Sequence, residues 1–191
     1  MITIGTLYMT LVNLGLGEDY VQIKKGDIFL FNNSMTTDWR IVNDNVMGGQ
    51  STSQLKRNTE DETWVFEGNL SLENNGGFAS IRSPQKGYDF RDFKGIEIKI
   101  RGDGKNYGIS LSEDYYFTGF YYHYSFSTHP NEWMIYQLNF DQFKPQYFGR
   151  PFEYSRQVDL DDIKEISLII GDKQNGPFQL EIAWIKLIPR Q

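Results

Sequence analysis

The sequence predicts an all-β chain, a jelly-roll β-sandwich of two antiparallel sheets. Three observations carry that expectation. Apolar residues recur at period two in run after run, the signature of half-buried strands. Clusters of Gly, Asn, Asp and Pro punctuate those runs, and no segment keeps helical spacing for three turns. The chain is rich in ring-bearing strand formers, with 14 Phe and 12 Tyr, a composition suited to a pleated, half-buried surface.

Residues 1–27 form a separate leading segment: a first strand, a tail or a residual export segment. Ile2 to Leu16 is apolar but interspersed with Thr, Gly and Asn, too short and too polar to span a bilayer. It lacks the basic start and small-residue cleavage site of a signal peptide. Residues 28–191 make a single jelly-roll domain. Trp64 and Phe66 alternate with Val65 and Glu67. Gly95 to Arg101 alternates strictly, three isoleucines on one face and three charges on the other. Thr118, Phe120, Tyr122, Tyr124 and Phe126 share a face opposite Gly119, Tyr121, His123 and Ser125. Ile166 to Ile170 is nearly all apolar, so the expectation is a central strand covered on both sides. Asp159 to Lys164 reads as one short helical turn with carboxylates at its start. Leu180, Ile182 and Trp184 lie on a closing strand.

The chain has 191 residues, no cysteine and a formal charge of −6. The length suits one domain with a core that needs no staple. Without cysteine there is no thiol nucleophile, disulfide or thiolate metal site. The dispersed acidic charge lacks the basic stripe of a nucleic-acid groove.

Residues that could carry chemistry do not assemble into a catalytic pattern. His123 and His129 are six apart, without metal-ligand spacing, and read as surface or hydrogen-bonded residues. No nucleophile elbow or dinucleotide fingerprint is present. The adjacent pairs Glu113-Asp114 and Asp161-Asp162 point to opposite strand faces, which suits solvated acids rather than a catalytic pair. The expectation is therefore no enzyme, no catalytic residue, no bound metal and no cofactor. The one cation considered is a structural Ca²⁺ among Asp103, Asn106, Glu113 and Asp114.

The densest stretch is residues 39–53, WRIVNDNVMGGQSTS. Asn43 and Asp44 cap turns through their side chains, and Gly48-Gly49 allows positive φ and close backbone approach. One reading makes it a binding loop: Asn43, Asp44, Met47, Gly48, Gly49 and Ser51, with Arg82 at the same sheet end, offering polar backbone and an adaptable Met to a protein partner. The competing reading makes it a corner that closes the sandwich. A second candidate is a ligand groove of Asp114, Tyr116, Tyr122 and Arg150, where rings stack on a saccharide and charged groups meet its hydroxyls. Core packing is the bland alternative for each tyrosine.

Trp39, Val42-Asn43-Asp44, Val46-Met47-Gly48-Gly49 and Ser51 resemble the signature of the complex I intermediate-associated protein 30 family. The resemblance continues through Gly76 to Ser83, Phe93 to Ile96, Arg101 to Tyr107, Trp133, Phe140, Phe143, Gly149-Arg150 and Ile170 to Phe178, spanning about residues 28–188. It implies a galactose-binding-like jelly roll and a non-catalytic role as chaperone in assembly of a respiratory complex, with respiratory-chain subunits as protein partners. The same fold recurs in carbohydrate-binding modules, so a saccharide ligand is the alternative. The expected setting is the cytoplasm, at most peripheral to a membrane and never spanning it, with export to the periplasm as the alternative.

Overall fold

Alternating apolar residues bury one side of each strand, and two sheets stacked face to face close the core between them. The structure, a computed structural model, describes residues 29–32, 38–116, 118–153 and 156–190. The leading segment 1–27 lies outside the described residues. The described residues form thirteen strands and three short 3-10 turns.

One sheet holds β1 (Phe29–Asn32), β3 (Thr52–Asn58), β4 (Thr63–Leu70), β6 (Phe93–Arg101), β9 (Trp133–Asn139) and β13 (Gly176–Pro189). Its order is β3-β4-β13-β6-β9, with β1 added beside the second half of β13. The other sheet holds β2 (Arg40–Asn43), β5 (Ala79–Arg82), β7 (Asn106–Ser112), β8 (Phe120–Ser127), β10 (Lys144–Tyr147), β11 (Arg150–Pro151) and β12 (Glu165–Ile170). Its order is β11-β10-β8-β7-β12-β5-β2, and every strand pairing in both sheets is antiparallel.

The inward faces follow the sequence. Ile96, Ile98 and Ile100 of β6 are wholly buried, as are Phe66 and Leu180, against Ile109, Leu111, Tyr122 and Leu168 of the facing sheet. Each such side chain contributes about 1.5–3 kcal/mol by leaving water. Aromatic pairs close the ends: Phe31 meets Trp39 edge-on at 5.1 Å, and Phe90 stacks on Phe140 at 5.7 Å.

Two expectations are corrected. Residues 159–164 form no helical turn; Leu160 and Asp161 make a tight turn, and Ile163 then bridges to Tyr88. Two backbone hydrogen bonds with Tyr88 fix Ile163 in that bridge and leave no room for a helical ladder. Strand β12 is central, but only its Ile166, Leu168 and Ile170 face is buried; Ser167 and Ile169 are half-exposed on the outer face. In β13 the register shifts between Ile182 and Trp184. Such a bulge reverses the alternation, so Ile182 and Ile185 enter the core. Trp184 instead meets Lys99 and Lys186, with its ring 5.0 and 5.8 Å from their ammonium groups.

Candidate functional site

The Gly-rich loop is built around a single carboxylate. After β2 the chain makes a 3-10 turn, Asp44–Met47, closed by Gly48 at φ +90°. Asp44 is buried. Its Oδ1 accepts a hydrogen bond from the Ser51 N–H at 2.9 Å. Its Oδ2 accepts from Ser51 Oγ at 2.5 Å, Gly77 N–H at 2.5 Å and Phe78 N–H at 3.3 Å. Burial opposes the charged form, but the hydrogen bonds from Gly77 and Ser51 outweigh it and hold the carboxyl below its ordinary range. The glycines follow from this. A Cβ on Gly49 would lie 2.4 Å from Asp44 Cγ, and one on Gly76 would lie 2.6 Å from Oδ2.

This geometry corrects the binding-loop reading for several of its residues. Asp44 and Ser51 face each other inside the corner, and Asn43 is buried with its Oδ1 accepting from Ser53 Oγ at 2.6 Å. Gly49 donates its N–H to the Asp44 carbonyl at 3.0 Å. What the corner shows to solvent is Asn45, Val46, Met47, Gly48 and Gln50, with Met47 59% exposed. Arg82 stands apart. Asn43 pairs with Ala79, three residues from Arg82, or roughly 10 Å at the rise of a strand.

Arg82 belongs instead to a trough on the outer face of the seven-stranded sheet. Alternation sends Arg40, Arg82, Glu165, Ser167, Ser110 and Tyr121 to that face from five strands, and Asp114 and Tyr116 border it from the loop after β7. The cavity encloses about 90 Å³. Glu165 is the buried centre: Arg82 Nη1 donates to its Oε1 at 3.2 Å, and Arg40 Nη2 donates to Oε2. Arg40 Nη1 also donates to the Ser83 carbonyl at 3.1 Å, and Arg82 Nε to Ser80 Oγ at 3.1 Å. Burial lowers the Arg82 pKa, with Arg40 acting in the same direction and Glu165 opposing.

The trough therefore unites residues that the sequence assigned to two places. Arg82 comes from the loop reading; Asp114 and Tyr116 come from the groove reading. Tyr116 is 85% exposed, and Asp114 accepts from Thr118 Oγ1 at 3.0 Å. Two groove residues are corrected. Tyr122 is wholly buried on the inward face, its hydroxyl 3.3 Å from the carbonyls of Arg156 and Gln157. Arg150 sits exposed on the two-residue edge strand β11, away from the trough lining. Arg40 and Glu165 were not among the residues the sequence pointed to. The signal for Glu165 was present: a lone carboxylate opening an apolar strand needs a buried cation.

His123 lies on the same outer face, with Nδ1 2.8 Å from Ser110 Oγ and Nε2 3.0 Å from Ser125 Oγ. Burial pulls its pKa down to about 4, with Asp172 opposing, so the ring is neutral at pH 7. The oxygen donors considered for Ca²⁺ are engaged elsewhere. Asp103 accepts from Tyr107, Lys105 and Gln179, Asn106 from Ser127, and Glu113 from Arg156 and Asp159. Among the described residues no group of three or more His, Cys, Asp or Glu converges as a metal site would require. Nor is any helix among them long and apolar enough to cross a membrane.

Two packed antiparallel sheets define a jelly-roll β-sandwich, with a polar, ring-bordered trough on one outer face. The chain belongs to the Complex I intermediate-associated protein 30 (CIA30) family, whose model matches residues 29–182. It is 29% identical over 180 residues to an uncharacterised protein of Schizosaccharomyces pombe, covering 80% of this chain and 78% of that one. It is 26% identical over 166 residues to the mitochondrial Complex I intermediate-associated protein 30 of Mus musculus, covering 77% of this chain and 51% of the mouse protein. The chain thus spans about half the length of that mitochondrial relative. Among solved structures it resembles the family 11 carbohydrate-binding module of the Clostridium thermocellum cellulase Lic26A-Cel5E. The TM-score is 0.68 at 15% identity, over 86% of this chain and 95% of the module; that likeness is one of fold.

Proposed function

We propose that this chain is a non-catalytic, cofactor-free binding module that assists assembly of a respiratory complex by holding a protein partner. The observation that carries the reading is the extent of the family match, residues 29–182, which takes in both sheets, the corner and the trough. The surface supports it. Tyr147, Phe148 and Phe152 stay 45–49% exposed, with Tyr147 meeting Phe148 edge-on at 4.7 Å and Phe152 at a tilt at 6.0 Å. Exposed aromatic clusters of this kind mark protein contact sites. The working place in this proposal is the cytoplasm, at the membrane surface where such a complex is built. Deleting the gene in its native host and resolving membrane complexes by native electrophoresis tests it. The expected result is loss of a mature respiratory complex with accumulation of its subassemblies. An unchanged pattern refutes the proposal.

A saccharide ligand is the second reading, favoured by rings and charged groups meeting in one trough. Its weakness is size. A cavity of about 90 Å³ falls short of the roughly 300 Å³ that a whole small-molecule ligand occupies. A glycan array probed with the intact chain decides: specific glycans retained on the array would restore it.

A further inference from the structure

The trough is too small for a ligand and too charged for a packing flaw. Its floor holds two guanidinium groups sharing the carboxylate of Glu165, so these three side chains carry one net positive charge. The side chains of Glu165 and Arg82 are only 7% and 16% exposed, while that of Arg40 is 44% exposed and faces the mouth. Buried charges are ordinarily balanced by partners, and here the excess is cationic and open to solvent on one side. Asp114 adds one negative charge at the rim, where it accepts from Thr118 Oγ1, so the cationic excess is confined to the floor at Arg40. A space of about 90 Å³ admits several waters or a small polar group. The mouth is aromatic: Tyr116 stands 85% exposed on one side, and Phe120 of the lining contacts Phe152 at 5.9 Å, which continues into Tyr147.

We infer that the Arg40–Arg82 floor is an acidic-residue slot, which receives a Glu or Asp side chain of the partner protein while flanking apolar residues of that partner cover Tyr116 and the Phe152 patch. A guanidinium meets a carboxylate through paired N–H donors. An Arg-lined pocket surrounded by Tyr and Phe has the anatomy of an interface hot spot. The slot deepens the assembly reading and rests on it for the partner's class.

The test uses the full chain, ¹⁵N-labelled, titrated with an acetylated, amidated Phe-Glu-Phe peptide, its Phe-Gln-Phe counterpart and free glucuronate. The Glu peptide is expected to bind at least tenfold more tightly than the Gln peptide, with shifts centred on Arg40, Ser167 and Tyr116. Arg40→Gln should erase that preference, and Arg40→Lys should leave a reduced one because it keeps the charge without the fork. Tyr116→Ala, at an exposed position, should weaken both peptides about equally and keep the preference. Equal binding of the two peptides, or binding of neither, overturns the slot. Glucuronate binding as tightly as the Glu peptide overturns the assignment to a protein partner. In the deletion host, full rescue by the Arg40→Gln chain would sink the slot while leaving the assembly role intact. A host with no assembly defect would sink the assembly role on its own.

Discussion

Replacing Asp44 tests whether the Gly-rich corner is held by its carboxylate. In Asp44→Ala four hydrogen bonds vanish, three from backbone N–H groups of Ser51, Gly77 and Phe78 and one from Ser51 Oγ. Bonds to a charged acceptor contribute about 1.5–3 kcal/mol each, but they are not additive, and water enters the vacated space to satisfy part of the loss. The net expectation is about 3–5 kcal/mol, a large share of the 5–15 kcal/mol typical of a domain. At about 2–4 °C per kcal/mol for a chain this size, the melting temperature falls by about 10 °C. Asp44→Asn keeps the shape and one good acceptor, so it should cost about 2 kcal/mol. The pH dependence has a definite sign. The folded Asp44 carboxyl lies below its ordinary value, so its stabilisation is fully present above the unfolded pKa near 4 and is lost as pH falls through the folded one. Urea denaturation of the three proteins at pH 7 and pH 3 measures this. The gap between wild type and Asp44→Ala must narrow at the lower pH. A gap under about 0.5 kcal/mol at pH 7, or one that does not narrow, refutes the reasoning.

Other outcomes follow from the same geometry. Gly49→Ala should destabilise by about 1–3 kcal/mol through its clash with Asp44. A Cβ on Gly48 meets nothing within 4 Å, so Gly48→Val carries chiefly the strain of φ +90°, about 1–2 kcal/mol; chemical denaturation measures both. Glu165→Gln leaves Arg82 buried without its anion and should cost about 3 kcal/mol, read by the denaturation midpoint. His123 should titrate near pH 4 by NMR. Because the folded value lies below the unfolded one, its contribution is complete above about pH 6.5 and erodes as pH falls toward 4. A midpoint near 6.5 would show the ring exposed rather than clamped between Ser110 and Ser125.

The sandwich was legible because burial on one face imposes period two, and that pattern survives in β6, β8 and β12 without long-range information. The bulge in β13 was not legible, since one extra residue flips Trp184 outward without leaving a mark in composition. The loop at 39–53 was legible as special, but whether it formed a binding rim or a closing corner stayed open. Asn, Asp and paired Gly serve an exposed turn and a buried carboxylate nest equally well. What decides between them is the approach of Gly76 and Gly77 from 33 residues downstream, which only the β2–β5 pairing brings about. Asp114 and Tyr116 were named for a groove by their chemistry alone, whereas alternation did place Tyr121 and Tyr122 on opposite faces. It could not supply Arg40 or Glu165, whose meeting across 125 residues is a property of strand order.

That division separates what makes the fold from what the molecule recognises. Much of the family signature turns inward: Trp39 into the core, Asp44 and Ser51 into each other, Gly49 against the carboxylate, while Val46 and Met47 stay exposed. The trough joins the fold at Glu165, which is buried enough to need its arginines and placed where their remaining faces meet solvent. A change of partner would therefore be expected to alter Arg40 and Tyr116 before Glu165 or Arg82. Swapping Tyr116 should move binding and spare the melting temperature. Swapping Arg40, Arg82 or Glu165 should move both.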